Sequence, residues 1–268
     1  MNFVFQKFWQ HIDELIEKNI RIDGRRIDET RNVSLICKEP GSVEVTIGNS
    51  KALGECKVET SEPKGRVDQG IFRINVNFLQ MANPNFHDSR GTRDLIEVGK
   101  VVERAILSTR AIDIDGLVIV RGKLVWKIVV CVQIIADYGN LMDVVSIAAI
   151  SALLTAVRRE VVICGTDVRV LTEKERKPTP LPIHHIPVTI SFGITESGIP
   201  LLDPSDREEE VCKSRLTIAI NKEGEVCAVQ KSGTPVSVKI IQKCCEIAHE
   251  QAKKFIKYIS DRVQDMKK

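Results

Sequence analysis

Apolar residues recur along this chain in two periods, and the switches between them mark out its elements. Phe5, Phe8, Trp9, Ile12, Leu15 and Ile16 fall at helical spacing, with Asp13, Glu14, Glu17 and Lys18 on the other face. That pattern predicts an amphipathic opening helix, docked on the chain's own core or on a neighbouring subunit. Arg21-Ile22-Asp23-Gly24-Arg25-Arg26 follows as a polar, turn-forming link. Ser42–Ile47 and Ala52–Val58 then alternate on either side of a Gly48-Asn49 turn, and Phe72–Phe78 alternates strictly. These are strand signals, the first two a hairpin.

Helical spacing returns from Leu95 to Leu107, with Glu97, Lys100, Glu103 and Arg104 between the apolar positions. Leu117–Val120 and Leu124–Ala136 are β-branched and read as strands, and the small-residue run Ser146–Leu154 reads as a buried helix pressed against a sheet. Pro178, Pro180 and Pro182 beside the charged Glu173–Lys177 predict a connector. The grammar then repeats: strands at Val188–Phe192 and Leu216–Ile220, a hairpin turn at Asn221–Gly224, a return strand at Val226–Gln230 and a long helix over Val236–Val263. The predicted organisation is an N-terminal helix and link over 1–29, a first half over 30–170, a connector over 171–186 and a second half over 187–268. Strands followed by helices in each half give an α+β class.

Composition narrows the function. The 268 residues are 43% hydrophobic and 28% charged, which suits a folded chain with a sizeable core. A net charge of only +3 means that any nucleic-acid contact depends on where the basic residues cluster. The eight cysteines form no CxxC pair and lie mostly in apolar runs, so they read as free thiols rather than as a disulfide framework or a zinc site. The apolar runs at 127–136 and 144–157 are broken before reaching membrane-spanning length, and the first residues carry no secretory pattern. No cofactor, metal or membrane partner is expected.

Several short motifs occur in an order that resembles one family. They are the RxDGR element at Arg21–Arg25, the hairpin Gly41–Gly48 with Lys51–Glu59, Gln80–Phe86 with Arg90, Glu103-Arg104-Ala105-Ile106, Ser146–Ile150, Pro182–Pro187 and Leu202-Asp203-Pro204. Together they resemble ribonuclease PH and its exosome relatives over nearly the whole chain from about Asn19. The resemblance implies a ribonuclease-PH-like fold of two βαβα-type halves, of the ribosomal-protein-S5-domain-2-like kind. It also implies a six-membered ring around a pore, with other ribonuclease-PH-like subunits, RNA-binding cap subunits and RNA as partners. Work in RNA processing in the nucleus, nucleolus and cytoplasm is expected on the same ground.

Some members of the family phosphorolyse RNA, so the phosphate loop decides the next step. Active members look like Asp-Gly-Gly-Thr-Arg where this chain has Asp137-Tyr138-Gly139-Asn140-Leu141-Met142-Asp143. The arginine is replaced by Leu141, the hydroxyl by Asn140 and the first glycine by Tyr138, while Asp143 is expected to bring a like charge toward the phosphate. A carboxylate about 4 Å from a phosphate costs about 1 kcal/mol in bulk water and several at a partly buried site. The site is therefore read as catalytically disabled, with no catalytic residue assigned.

The acid Asp203 is retained, but Ser205 stands at the second acid position of active members. The run Asp206–Glu210 fits a solvated turn and helix start, and an acid/base role for Asp203 keeps an active phosphate-dependent 3′-to-5′ exoribonuclease as the alternative. His184-His185 sit on opposite faces of an extended segment and do not suit one metal. Arg90, Arg93, Lys100 and Arg104 are candidate RNA contacts through the phosphate backbone. They equally fit a solvated helix face with Glu97 and Glu103 as ion-pair partners.

Overall fold

A computed structural model describes residues 2–63, 69–79, 82, 89–164, 167–171 and 175–267, with the side chains of 2–8, 10, 89–93, 163, 164, 167, 168 and 267 outside that description. Most of the Gln80–Phe86 motif and Glu173 of the connector lie outside the described residues.

Helix α1 (Asn2–Glu17) precedes strands β1 (Val33–Glu39), β2 (Ser42–Ile47), β3 (Ser50–Ser61) and β4 (Ile71–Phe78). Helix α2 (Ser89–Ser108), strands β5 (Val118–Val120) and β6 (Leu124–Ala136) and helix α3 (Leu141–Thr155) complete the first half. Two small pairs come next, β7 (Val157–Arg158) with β10 (Thr179–Pro180) and β8 (Val161–Cys164) with β9 (Asp167–Val170). The second half holds β11 (Val188–Ile194), β12 (Pro200–Leu202), α4 (Asp206–Val211), β13 (Ser214–Ile220), β14 (Val226–Gly233) and α5 (Val238–Lys267).

The first sheet runs β1-β2-β3-β6-β4, with β5 also on β6, and β4 is parallel to β6 because α2 carries the crossover between them. The second sheet runs β12-β11-β13-β14 and is antiparallel throughout. Helix α3 joins the two halves, touching β2, β3 and β6 on one side and β11 and α5 on the other. Its residues Val144, Ile147, Ala148, Ile150 and Leu153 are buried all round, which is why the sequence shows apolar residues there without a polar stripe. The helix can lie this close to β3 because a Cβ at Gly54 would sit 2.6 Å from the Ala148 carbonyl oxygen.

The opening helix docks in cis. Ile12 and Ile16 form a small satellite core with Leu201 and Val211, so α1 packs on α4 and β12. Phe5 and Phe8, predicted to share that face, have side chains outside the described residues. The connector is stitched to the first half by Leu181 N–H on the Ala156 carbonyl at 3.3 Å and His184 N–H on that of Ala111 at 2.9 Å. No helix among the described residues is long and apolar enough to cross a membrane.

Candidate functional site

The loop between β6 and α3 turns on two residues of positive φ, Gly139 (+84°) and Asn140 (+54°). Glycine takes this conformation freely, and asparagine is among the few other residues that do. A Cβ on Gly139 would strike the backbone of Ser205 and Asp206, so this loop is pressed onto the start of α4. Asn140 stands before the first turn of α3 without capping it; its Nδ2 donates instead to Asp143 Oδ2 (2.8 Å) and Asp203 Oδ1 (2.6 Å).

Asp203 is held by arginines. Arg31 donates from Nη2 to Oδ1 (2.7 Å) and from Nε and its backbone N–H to Oδ2 (3.0 and 2.8 Å), and Arg25 Nη1 adds a bond to Oδ2 (3.1 Å). Arg31 also donates to the carbonyls of Tyr138 (2.8 Å) and Gly139 (3.1 Å), so one guanidinium fastens the loop and the acid together. Burial works to raise the Asp203 pKa, but the Arg31 bonds and charge and the Asn140 amide outweigh it and hold it below the usual carboxylate range.

Next to this pair, Arg21 is fully buried. It donates from Nε to Glu208 Oε1 (2.8 Å) and from Nη2 to Oε2 (2.5 Å), and to the carbonyls of Leu202 (2.8 Å) and Asp203 (2.9 Å). Glu208 also accepts the Ser205 N–H (2.8 Å), the carboxylate half of a capping box. The RxDGR link thus clamps the second half, a role the sequence reading missed by treating it as a polar turn. The expectation of a solvated acidic turn is corrected with it: Asp203 and Glu208 are both buried, because planar guanidinium groups satisfy their oxygens. Only Asp206, Arg207 and Glu210 of that run face solvent.

Asp143 also departs from expectation. It does not line the cleft that opens between the halves. It points between α3 and β11, where Oδ1 accepts from the hydroxyls of Thr189 (3.0 Å) and Ser191 (2.7 Å), and Oδ2 from the Ser191 N–H (3.0 Å) and Asn140. Burial, with Asp203 nearby, pushes its pKa up to about 7 against those bonds.

A cleft of about 600 Å³ opens between the halves. Asn140, Leu141 and Met142 line one wall, and its charged residues are Asp94, Glu97, Asp137, Glu209, Lys213 and Arg215. Four acids face two bases, so the cleft disfavours an anion. Glu209 sits at the centre of this chemistry: its Oε1 accepts the Asn140 backbone N–H (2.8 Å), and its Oε2 pairs with Arg215 Nη2 (3.0 Å). Sequence reasoning missed Glu209 within the run Glu208–Glu210. The signal was the helical turn itself, which sends adjacent residues about 100° apart and so gives them different partners.

The candidate RNA contacts divide. Arg90 and Arg93 lie on α2, with side chains outside the described residues. Lys100 is paired with Glu103 (3.1 Å), which Arg73 also reaches (3.2 Å); the expected pairing is present, but Glu103 itself is buried rather than solvated. Glu97 instead accepts from Gln230 Nε2 (2.7 Å), and Arg104 reaches Gln230 Oε1 (3.2 Å), which ties α2 to β14. His184 is exposed, and His185 Nδ1 lies 3.5 Å from Glu223 Oε2. Among the described residues no group of three or more histidine, cysteine, aspartate or glutamate side chains is arranged to hold a metal ion.

Comparison with known proteins fits this geometry. Residues 24–158 match the model of the 3′ exoribonuclease family, domain 1, and residues 185–251 that of domain 2. The chain is 33% identical over 260 residues to exosome complex component RRP45A of Arabidopsis thaliana, covering 94% of this chain and 85% of that one. Human exosome complex component RRP45 is 37% identical over 237 residues, and there the match covers 87% of this chain but 54% of the relative. Among solved structures, an Archaeoglobus fulgidus exosome with RNA bound to the active site superposes with a TM-score of 0.83 at 28% identity, over 96% of this chain and 99% of that one. An archaeal exosome core gives 0.79 at 27% identity, over 94% and 96%. These matches, over both halves and nearly the whole chain, show that the chain belongs to the 3′ exoribonuclease, or RNase PH, family.

Proposed function

We propose that this chain is a non-catalytic ring subunit of an RNA exosome. In this reading it supports 3′-to-5′ RNA processing and degradation, including rRNA maturation and mRNA turnover, by building the ring and helping to guide RNA. Its place is that of the RRP45 relatives, the position of the polymyositis/scleroderma autoantigen 1, or exosome component nine. Its partners are other ribonuclease-PH-like subunits, RNA-binding cap subunits and RNA, and it works in the nucleus and nucleolus and also in the cytoplasm.

That its relatives are exosome components and its structural neighbours exosome cores supports the ring role. One observation carries the non-catalytic part. The groups that a phosphorolytic site needs free are bonded to the chain's own side chains, Glu209 on the Asn140 N–H and Arg31 on Asp203. Phosphoryl transfer needs fixed donors aimed at the phosphate oxygens. Here Leu141 offers none, and the cleft is acidic. Retained Asp203 motivates the alternative, an active phosphate-dependent exoribonuclease, but an acid locked to Arg31 and Arg25 is poorly placed to move a proton.

Affinity purification of the full chain from its own cells, with quantitative subunit identification, tests the ring role. Recovery in equal amounts with several ribonuclease-PH-like subunits and cap subunits is expected. Recovery alone or as a homo-oligomer contradicts it.

A further inference from the structure

Strand β14 is the outer strand of the second sheet, and its far edge faces helix α2. The carbonyls of Cys227 and Val229, two residues apart, point away from β13 to that edge. There they accept bonds from Ser108 Oγ (2.9 Å) and Arg104 Nη2 (3.4 Å). An outer strand offers such a row of backbone groups to any extended chain that comes alongside it. Between α2 and β14 lies a groove of about 650 Å³, lined by Val101 and Leu107 and crossed by Arg104. Ligand pockets commonly hold about 300–1,000 Å³. Beside the edge, Val226 and Val229 are half-exposed, and β-branched side chains suit a cross-strand neighbour.

Charge narrows the occupant. Glu103 is buried and neutralised by Arg73 and Lys100, and Glu97 accepts from Gln230. Arg104 is exposed, and among the described residues it bonds only to uncharged oxygens, the Val229 carbonyl and the Gln230 amide. A guanidinium so placed is open to a carboxylate, which it binds more strongly than a carbonyl. Among the described residues no aromatic ring lines the groove and two carboxylates do, so a nucleic-acid strand fits it poorly.

We propose that the groove between α2 and β14 docks an extended acidic segment of a partner protein, which adds to β14 as a further strand. The segment's backbone N–H groups take over the Cys227 and Val229 carbonyls from Ser108 and Arg104. The released guanidinium then pairs with a carboxylate of the segment. The exchange is donor for donor, so no carbonyl of the edge is left without a bond, and main-chain bonds of this kind are a common way to hold an extended peptide.

The test uses the full chain and two fluorescent octapeptides, one alternating valine with glutamate and one alternating valine with lysine, with binding read by anisotropy. The glutamate peptide should bind at least about tenfold tighter than the lysine peptide, and Arg104→Ala should remove most of that preference. In an extended chain alternate N–H groups face one edge. Methylating one alternate set of backbone nitrogens in the glutamate peptide should therefore abolish binding, and methylating the other set should leave it. Arg104→Gln serves as the second variant, and circular dichroism checks folding; if neither variant folds, the methylated peptides decide. The proposal is overturned if the two peptides bind alike or not at all, if a folded Arg104 variant keeps the preference, or if methylation of neither set matters. Tighter binding of an oligouridylate than of either peptide, lost in Arg104→Ala, would assign the groove to RNA and overturn it too. None of these readings involves phosphorolysis or ring assembly, so the function proposed above stands or falls separately.

Discussion

Asp143 and Asp203 lie on either side of the Asn140 amide, both almost wholly buried and both accepting a bond from the same Nδ2. Their surroundings drive them in opposite directions. Asp203 faces Arg31 and Arg25 and stays charged well into acid; Asp143 faces two hydroxyls and two N–H groups and is pushed up to about 7. Neutral donors in this pocket do not offset the loss of water around a carboxylate, whereas guanidinium groups do. The comparison also explains the site. Asp203 is half of a buried ion pair joining the two halves, and Asp143, expected to repel a phosphate, fastens α3 to β11.

Removing the arginine from this comparison should have the largest effect. Arg31→Met leaves Asp203 buried with only the Arg25 charge and should destabilise the fold by on the order of 3–5 kcal/mol in urea unfolding. A loss under about 1 kcal/mol would mean that Asp203 is solvated and the contrast is wrong. Arg21→Met should cost a similar amount through Glu208, since breaking a buried pair strands the remaining charge.

The other aspartate gives a pH signature. A carboxyl whose folded pKa is raised contributes stability that is full below its unfolded value and lost as pH rises through the folded value. For Asp143 that window runs from about pH 4 to about pH 7, and the loss should be on the order of 2–4 kcal/mol. Asp203, with its pKa lowered, contributes stability that is lost only below pH 3.8, as it protonates. Asp143→Asn should flatten the pH 4–7 slope measured by urea unfolding, and an unchanged slope would place the titration on another group.

The smallest stability effects should come from the exposed face of α2. Lys100→Ala and Arg104→Ala should change unfolding free energy by less than about 1 kcal/mol, because both side chains are exposed and buried Glu103 keeps Arg73 as its partner. If this face guides RNA, charge reversal at Arg93 and Arg104 should weaken RNA association with the assembled ring and lower its salt dependence. Unchanged affinity and salt slope would leave α2 as a solvated face tied to β14.

Much of this fold was legible because its strands alternate, α5 carries an apolar stripe and α3 is a run of small apolar residues. The β2–β3 hairpin, β4, β6, α3 and α5 follow the hydrophobic pattern directly. Strand β1 escaped it because it is an edge strand with only Leu35 buried, and β12 because three residues hold no period. The site was less legible. The expectation that Leu141 stands where active members carry an arginine came from the sequence alone, but the direction of Asp143 depends on Ser191 and Thr189 far along the chain. The fates of Glu208 and Glu209 depend on Arg21 and Asn140, 187 and 69 residues away. Such pairings are set by the packing of the halves, which no local pattern encodes.

The central claim is that this subunit has no phosphorolytic site of its own. Its most direct test is phosphate-dependent release of nucleoside diphosphates from RNA by the ring purified with this chain, compared with the same ring carrying Asp203→Asn here. Identical rates, with assembly confirmed by size and subunit stoichiometry, are predicted. Release that disappears with Asp203→Asn in an intact ring would contradict the account.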